Sequence, residues 1–334
     1  MSSSTEQGRD GRENADTLLE VSDLVTQFET YRGTVEALDE VSLTVGENEI
    51  VGIVGESGCG KSVTVRSILQ LIREPGRIVG GEVAYHGRDL LELSDKQMRD
   101  EIRGTELAMI FQNPTNALNP AYTVGHQIAE VAREVRGVGD EEARSRAIEL
   151  MDDVGIPKAE ERYGDYPHEF SGGMKQRVLI AKSLACQPNL LIADEPTTAL
   201  DKTTEAQLLD LVDEMREEYG LSVLIITHDL RVISRLCDRV VVMYAGQIVE
   251  TGSTRDVIKN PVHPYTKGLV EAIPRLGDEQ TDLESIDGTV LDLVDPNSGC
   301  RFYERCPIAQ EHCRDEKPAL EEKEPEQYAA CFEV

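Results

Sequence analysis

Residues 55–62 read GESGCGKS, the spacing of a glycine-rich loop that can wrap a phosphate chain. Each residue type has a chemical reason. In the segment formed by Gly55, Glu56, Ser57, Gly58, Cys59 and Gly60, the glycines let successive backbone N–H groups turn inward on an anion. Lys61 would neutralise β- and γ-phosphate oxygens and Ser62 would ligate magnesium. Val63 opens the helical pattern that follows, whose positive N-terminus faces the phosphates. Cys59 reads as a small residue tolerated in the loop, with a redox role as the alternative. A second run, LLIADEP, ends in adjacent carboxylates: Asp194 would hold magnesium through water, and Glu195 would act as general base on the attacking water. His228 closes a further apolar stretch, LSVLIIT, at the edge where a doubly wound sheet opens its ligand crevice.

These groups need strands that end together. EIVGIVG is an apolar run ending in glycine, and NLLIAD, LSVLIIT and RVVVMY are short and rich in β-branched residues. Helical segments KTTEAQLLDLVDEMREEY and LRVISRLC separate them, which predicts a parallel sheet flanked by helices. Two alternating stretches, LLEVSDLVTQF and VEALDEVSLTV, precede the first strand. Residues 94–180 carry helical patterns, VGHQIAEVAREVR and DEEARSRAIELMDDV, and read as a helical insert, the second opening with Asp140 as N-cap. Residues 1–16 are polar and aperiodic and are expected to be disordered. Residues 17–255 would form the nucleotide-binding domain and residues 256–334 a small appended domain.

Composition narrows the partners. With 63 acidic residues against 34 basic, the net charge is −29, which argues against a general nucleic-acid surface. The basic residues are mostly Arg, and a carboxylate-dense, lysine-poor surface resembles that of proteins from extreme halophiles, where molar salt screens the self-repulsion. No window approaches the roughly 18 apolar residues of a membrane span, and the N-terminus shows no signal-like segment. A cytosolic protein that meets the membrane through partners is expected.

FSGGMKQRV at residues 170–178 brings in a family: Ser171, Gly172, Gly173 and Gln176 resemble the ABC signature. With GESGCGKS, Gln112 of MIFQNP, LLIADEPTTALD and His228, the ABC ATPase motifs stand in order. The resemblance implies an α/β P-loop NTPase: a RecA-like parallel sheet with a helical ABC insert, antiparallel N-terminal β strands and a small cysteine-containing C-terminal domain. It also implies a head-to-tail dimer in which Ser171 and Gly173 of one subunit meet the γ-phosphate bound by Lys61 of the other. Ser-Gly-Gly at a helix start suits that task by offering a hydroxyl, bare N–H groups and a helix dipole. Residues 198–201, ending in Asp201, would couple the two sites, and Gln112 would touch magnesium or the water. An aromatic upstream of the loop, Tyr31 or Phe28, would stack on adenine.

MIFQNPTNALNP and NPVHPYTKGLVEAIP look like the ATP-binding subunits of dipeptide/oligopeptide importers. That likeness implies a second, related ATP-binding subunit, two transmembrane permease subunits, an extracellular solute-binding protein engaged indirectly, and a place on the cytoplasmic face of the membrane. A soluble ABC ATPase of translation or DNA repair, or a regulator without turnover, is the alternative. Cys300, Cys306, Cys313 and Cys331, spaced C-x5-C-x6-C-x17-C, resemble the tail of the dipeptide type, in which four cysteines can carry a [4Fe-4S] cluster. Structural zinc or free thiols remain open on the chemistry alone.

Overall fold

Strand β3 (Ile50–Val54) is buried along its whole length, and its side chains divide by parity between two cores. Ile50 and Val54 face the helical side, while Val51 and Ile53 face the N-terminal sheet. The same alternation runs through β7 (Leu190–Asp194), β8 (Ser222–Thr227) and β9 (Arg239–Tyr244), as period-2 strands covered on both faces require. The computed structural model in which this is seen describes residues 17–111, 117–198, 200–273, 291–296 and 298–334. The disorder expected for residues 1–16 and the role expected for Gln112 lie outside the described residues.

In the larger sheet the order is β11-β12-β10-β9-β3-β8-β7-β6. Strands β6 (Leu107–Ile110), β7, β8, β3 and β9 run parallel, so their C-terminal ends line up along one rim. The remaining strands, β10 (Gln247–Ser253), β11 (Glu321–Glu324) and β12 (Gln327–Ala329), are antiparallel, making the sheet mixed rather than purely parallel. A second, antiparallel sheet has the order β2-β1-β4-β5, where β1 is Thr17–Thr30, β2 Gly33–Gly46, β4 Gly76–Tyr85 and β5 Arg88–Asp89. It covers one face of the larger sheet.

Three expectations differ from the structure. The segment 94–180 is not helical throughout, because it contains β6, which pairs with β7 before the chain enters helices Val124–Arg136 and Asp140–Asp153. A four-residue buried strand is too short to show a period among helical patterns. Gly139, not Asp140, caps the second of these helices, and the Asp140 carboxylate instead lies 2.7 Å from Arg133. The C-terminal segment is also not a body apart. Its strands β11 and β12 extend the larger sheet, and Tyr265 and Phe302 are buried in the same apolar cluster as Ile50 and Val54.

Candidate active site

The phosphate loop joins β3 to helix Lys61–Ile68, and three positions in it demand glycine. Gly58 and Gly60 have φ of +82° and +107°, a region that side chains rarely enter. A Cβ on Gly55 would strike the carbonyl oxygen of Met243. The loop closes over the buried amine of Lys61, whose Nζ donates to the carbonyls of Gly55 at 2.7 Å and Glu56 at 2.9 Å. Cys59 is wholly buried beside that amine, and burial pushes its thiol up, which fits the packing reading better than the redox one. Ser57 and Gly58 are exposed at the loop tip.

Parallel pairing puts the second cluster beside the first. Val54 at the end of β3 pairs with Thr227 of β8, and Asp194 at the end of β7 pairs with Ile226. The Ser62 hydroxyl accordingly donates to Asp194 Oδ1 at 2.9 Å. Burial raises the Asp194 carboxyl, opposed by the Ser62 bond. Two adjoining oxygen donors are the ligand set a magnesium ion takes. Glu195, at φ +49°, is pinned by its backbone N–H to the Ile226 carbonyl at 2.9 Å. Its carboxylate accepts the Thr198 hydroxyl at 3.0 Å and lies 3.3 Å from His228 Nδ1. A carboxylate and an imidazole thus meet at the rim, open to solvent on the His228 side.

At the signature segment the outcome is divided. Ser171 caps helix Gly172–Leu184 by accepting the Met174 N–H at 3.3 Å, and Ser171 and Gly172 are exposed at the helix start. Gly173 packs against Thr204, and a Cβ there would strike its Cγ2. Gln176 lies farther along the helix and is buried, and neither of its amide atoms has a hydrogen-bond partner among the described residues. Asp201 has a definite local task as cap of helix Lys202–Tyr219, accepting the N–H groups of Thr203 and Thr204 and the Thr204 hydroxyl. The signature helix packs on the insert helices and helix Lys202–Tyr219, whereas the phosphate-loop helix packs on β1 and β2. Tyr31 stands 99% exposed in the β1–β2 turn, while Phe28 lies against Gly76 and borders a pocket with Val63, Arg66 and Phe111.

The ABC transporter pattern matches residues 38–198, and the pattern described as "Oligopeptide/dipeptide transporter, C-terminal region" matches residues 249–313. Over 320 residues, 95% of both proteins, the chain is 50% identical to a probable peptide ABC transporter ATP-binding protein of Sinorhizobium fredii. The chain belongs to the ABC transporter ATP-binding family. This ABC subunit is also 45% identical over 318 residues to the oligopeptide transport ATP-binding protein OppD of Salmonella typhimurium, covering 95% of this chain and 94% of that one. Among solved structures it resembles the dimeric post-hydrolysis state of the ATP-binding cassette MJ0796 bound to ADP and Pi, with 28% identity and a TM-score of 0.63. That match covers 71% of this chain and 99% of the other. Like its family, the subunit is an ATPase.

Beyond the shared cassette, the ABC subunit gathers its tail cysteines. Cys300, Cys306, Cys313 and Cys331 line one small cavity, with Phe302 and Phe332 among its walls. Burial pushes the Cys300 thiol up to about 11 and raises those of Cys306 and Cys331, so a dissociated thiolate here needs a positive partner. Among the described residues, the one group of three or more potential ligand atoms within 4.8 Å of one another is His312, Cys313 and Glu333. Sequence spacing gave no sign of three further residues. Arg305 lies 2.7 Å from Glu56 in the phosphate loop, the Tyr265 hydroxyl accepts the Glu56 N–H at 2.9 Å, and Arg301 pairs with Glu36 at 2.8 Å. The usable signal was the basic character of Arg301 and Arg305 in so acidic a chain.

Proposed function

We propose that this subunit hydrolyses ATP to drive uptake of dipeptides or oligopeptides through two permease subunits at the cytoplasmic face of the membrane. The observation that carries the reading is a transporter-type C-terminal region, residues 249–313, following directly on an ATPase fold. No helix among the described residues is long and apolar enough to cross a membrane, so the pore would belong to partners. Nucleic-acid work is disfavoured by the net charge of −29.

In this mechanism Lys61 and the loop N–H groups hold the β- and γ-phosphates, and Ser62 and Asp194 hold magnesium, which supplies charge neutralisation on the phosphate oxygens. Glu195 accepts a proton from the attacking water, and His228 keeps that carboxylate aimed across their 3.3 Å contact. Ser171 and Gly173 of a second, related subunit close on the γ-phosphate, a reading supported by the exposure of Ser171 at a helix N-terminus. Tyr31 is the better placed of the two aromatics to stack on adenine, since Phe28 is held against Gly76. Co-expression with a peptide permease pair, with peptide and its binding protein added to the purified assembly, tests the function. Peptide should stimulate ATP hydrolysis, and hydrolysis should rise from 0.1 M toward molar KCl as the carboxylates are screened. Failure to assemble, or a maximum in dilute buffer, would contradict the importer and the high-salt readings respectively.

We also infer that Cys300, Cys306, Cys313 and Cys331 hold an iron–sulfur cluster that staples the tail. A single zinc with Zn–S bonds of about 2.3 Å needs its four sulfurs about 4 Å apart. A cubane puts each thiolate on a different iron and therefore accepts a wider ring of sulfurs. Anaerobically purified protein should be brown with about four irons per chain, and Cys306→Ser should abolish the colour. Zinc alone, lost on substitution of His312, would point instead to the His312, Cys313 and Glu333 group.

A further inference from the structure

Glu56 is an odd residue for an anion cradle. It is the second residue of the phosphate loop, and a free carboxylate there would repel the phosphates the loop must hold. The structure answers with a guanidinium from the far end of the chain. Arg305 grips Glu56 in a two-pronged pair, Nη1 to Oε2 at 2.7 Å and Nη2 to Oε1 at 3.0 Å. Its side chain is only 4% exposed, its Nη1 lies 3.3 Å from the Tyr244 hydroxyl, and its guanidinium stacks 5.6 Å and 5.9 Å from the ring centres of Tyr244 and Phe302.

The remaining polar groups of Glu56 are also held. Its N–H goes to the Tyr265 hydroxyl at 2.9 Å, and its carbonyl receives Lys61 Nζ at 2.9 Å. The residue that fixes the lysine from one side is thus fixed by the tail from the other. Arg305 ends the single turn Tyr303–Arg305, directly before Cys306, so the segment carrying the four cysteines and the segment holding the loop are one.

We propose that Arg305 is a positioning residue for ATP binding, neutralising and orienting Glu56 so that the C-terminal tail sets the affinity of the phosphate loop. This rests on the phosphate-loop reading but not on what the cysteines hold. Arg305→Met keeps an apolar stem against Tyr244 and Phe302 while removing the charge, and leaves Glu56 uncompensated. The dissociation constant for ATP should rise about tenfold, with turnover at saturating ATP changed less than about twofold. Adding Glu56→Gln to that variant should restore most of the affinity, because a neutral amide does not repel phosphates, and Arg305→Lys should fall between.

Titration of the full chain with ATP, with thermal melting alongside, reads these outcomes. Wild-type affinity in Arg305→Met, or a double variant binding as weakly as Arg305→Met alone, overturns the proposal. Should Arg305→Met not fold, Glu56→Gln in the native background decides: affinity equal to or tighter than wild type supports the electrostatic role, and a tenfold loss refutes it. Lys61→Ala, measured beside them, separates the layers. Wild-type affinity there removes the loop assignment itself, whereas weak binding there with none lost in Arg305→Met removes only the role of Arg305.

Discussion

Glu195→Gln is expected to lower steady-state ATP hydrolysis by about 10²-fold or more while ATP binding persists. The substitution keeps the shape of the side chain and its capacity to accept the Thr198 hydroxyl, seen at 3.0 Å, but an amide cannot take a proton from water. Glu195 is also held by its backbone bond to Ile226 at a φ of +49°, so the change should leave the rim geometry in place. ATP would then accumulate bound between two subunits, and gel filtration with ATP should show a stable dimer. Near-normal turnover in this variant would remove Glu195 from the role of base and redirect attention to His228.

Lys61→Ala acts one step earlier. The Lys61 amine is buried, and a charge-assisted contact to a phosphate oxygen is worth about 1.5–3 kcal/mol. Its loss should weaken ATP binding by about 10- to 100-fold. The carbonyls of Gly55 and Glu56, which receive the amine at 2.7 and 2.9 Å, also lose their donor, so the loop should loosen as well. Equilibrium titration checks this: unchanged affinity would mean that the loop does not hold the nucleotide.

Legibility in the sequence followed range. GESGCGKS, the Asp194–Glu195 pair and the cap of the signature helix are local patterns, in which residue type and spacing dictate backbone conformation within one loop or turn. Helices Val124–Arg136 and Lys202–Tyr219 also match the periodic segments residue for residue. What escaped depends on partners distant in the chain. Strand β6 is recognisable only beside β7, and Glu56 meets Arg305 across 249 residues.

The outer border of the larger sheet carries a consequence for the behaviour of the protein in concentrated solution. A border strand presents unpaired N–H and C=O groups to which another sheet can add, a route to aggregation. Here the last strand, β11, is four residues long and reads Glu-Glu-Lys-Glu, with Glu321, Glu322 and Glu324 exposed. A second copy approaching it would align carboxylate against carboxylate, and like charges directly opposite disfavour pairing. The hairpin of β11 and β12 thereby shields β10, whose Ile248, Val249 and Glu250 are buried, from adhesive contact with other chains. Solubility is thus built into the same tail that reaches the phosphate loop.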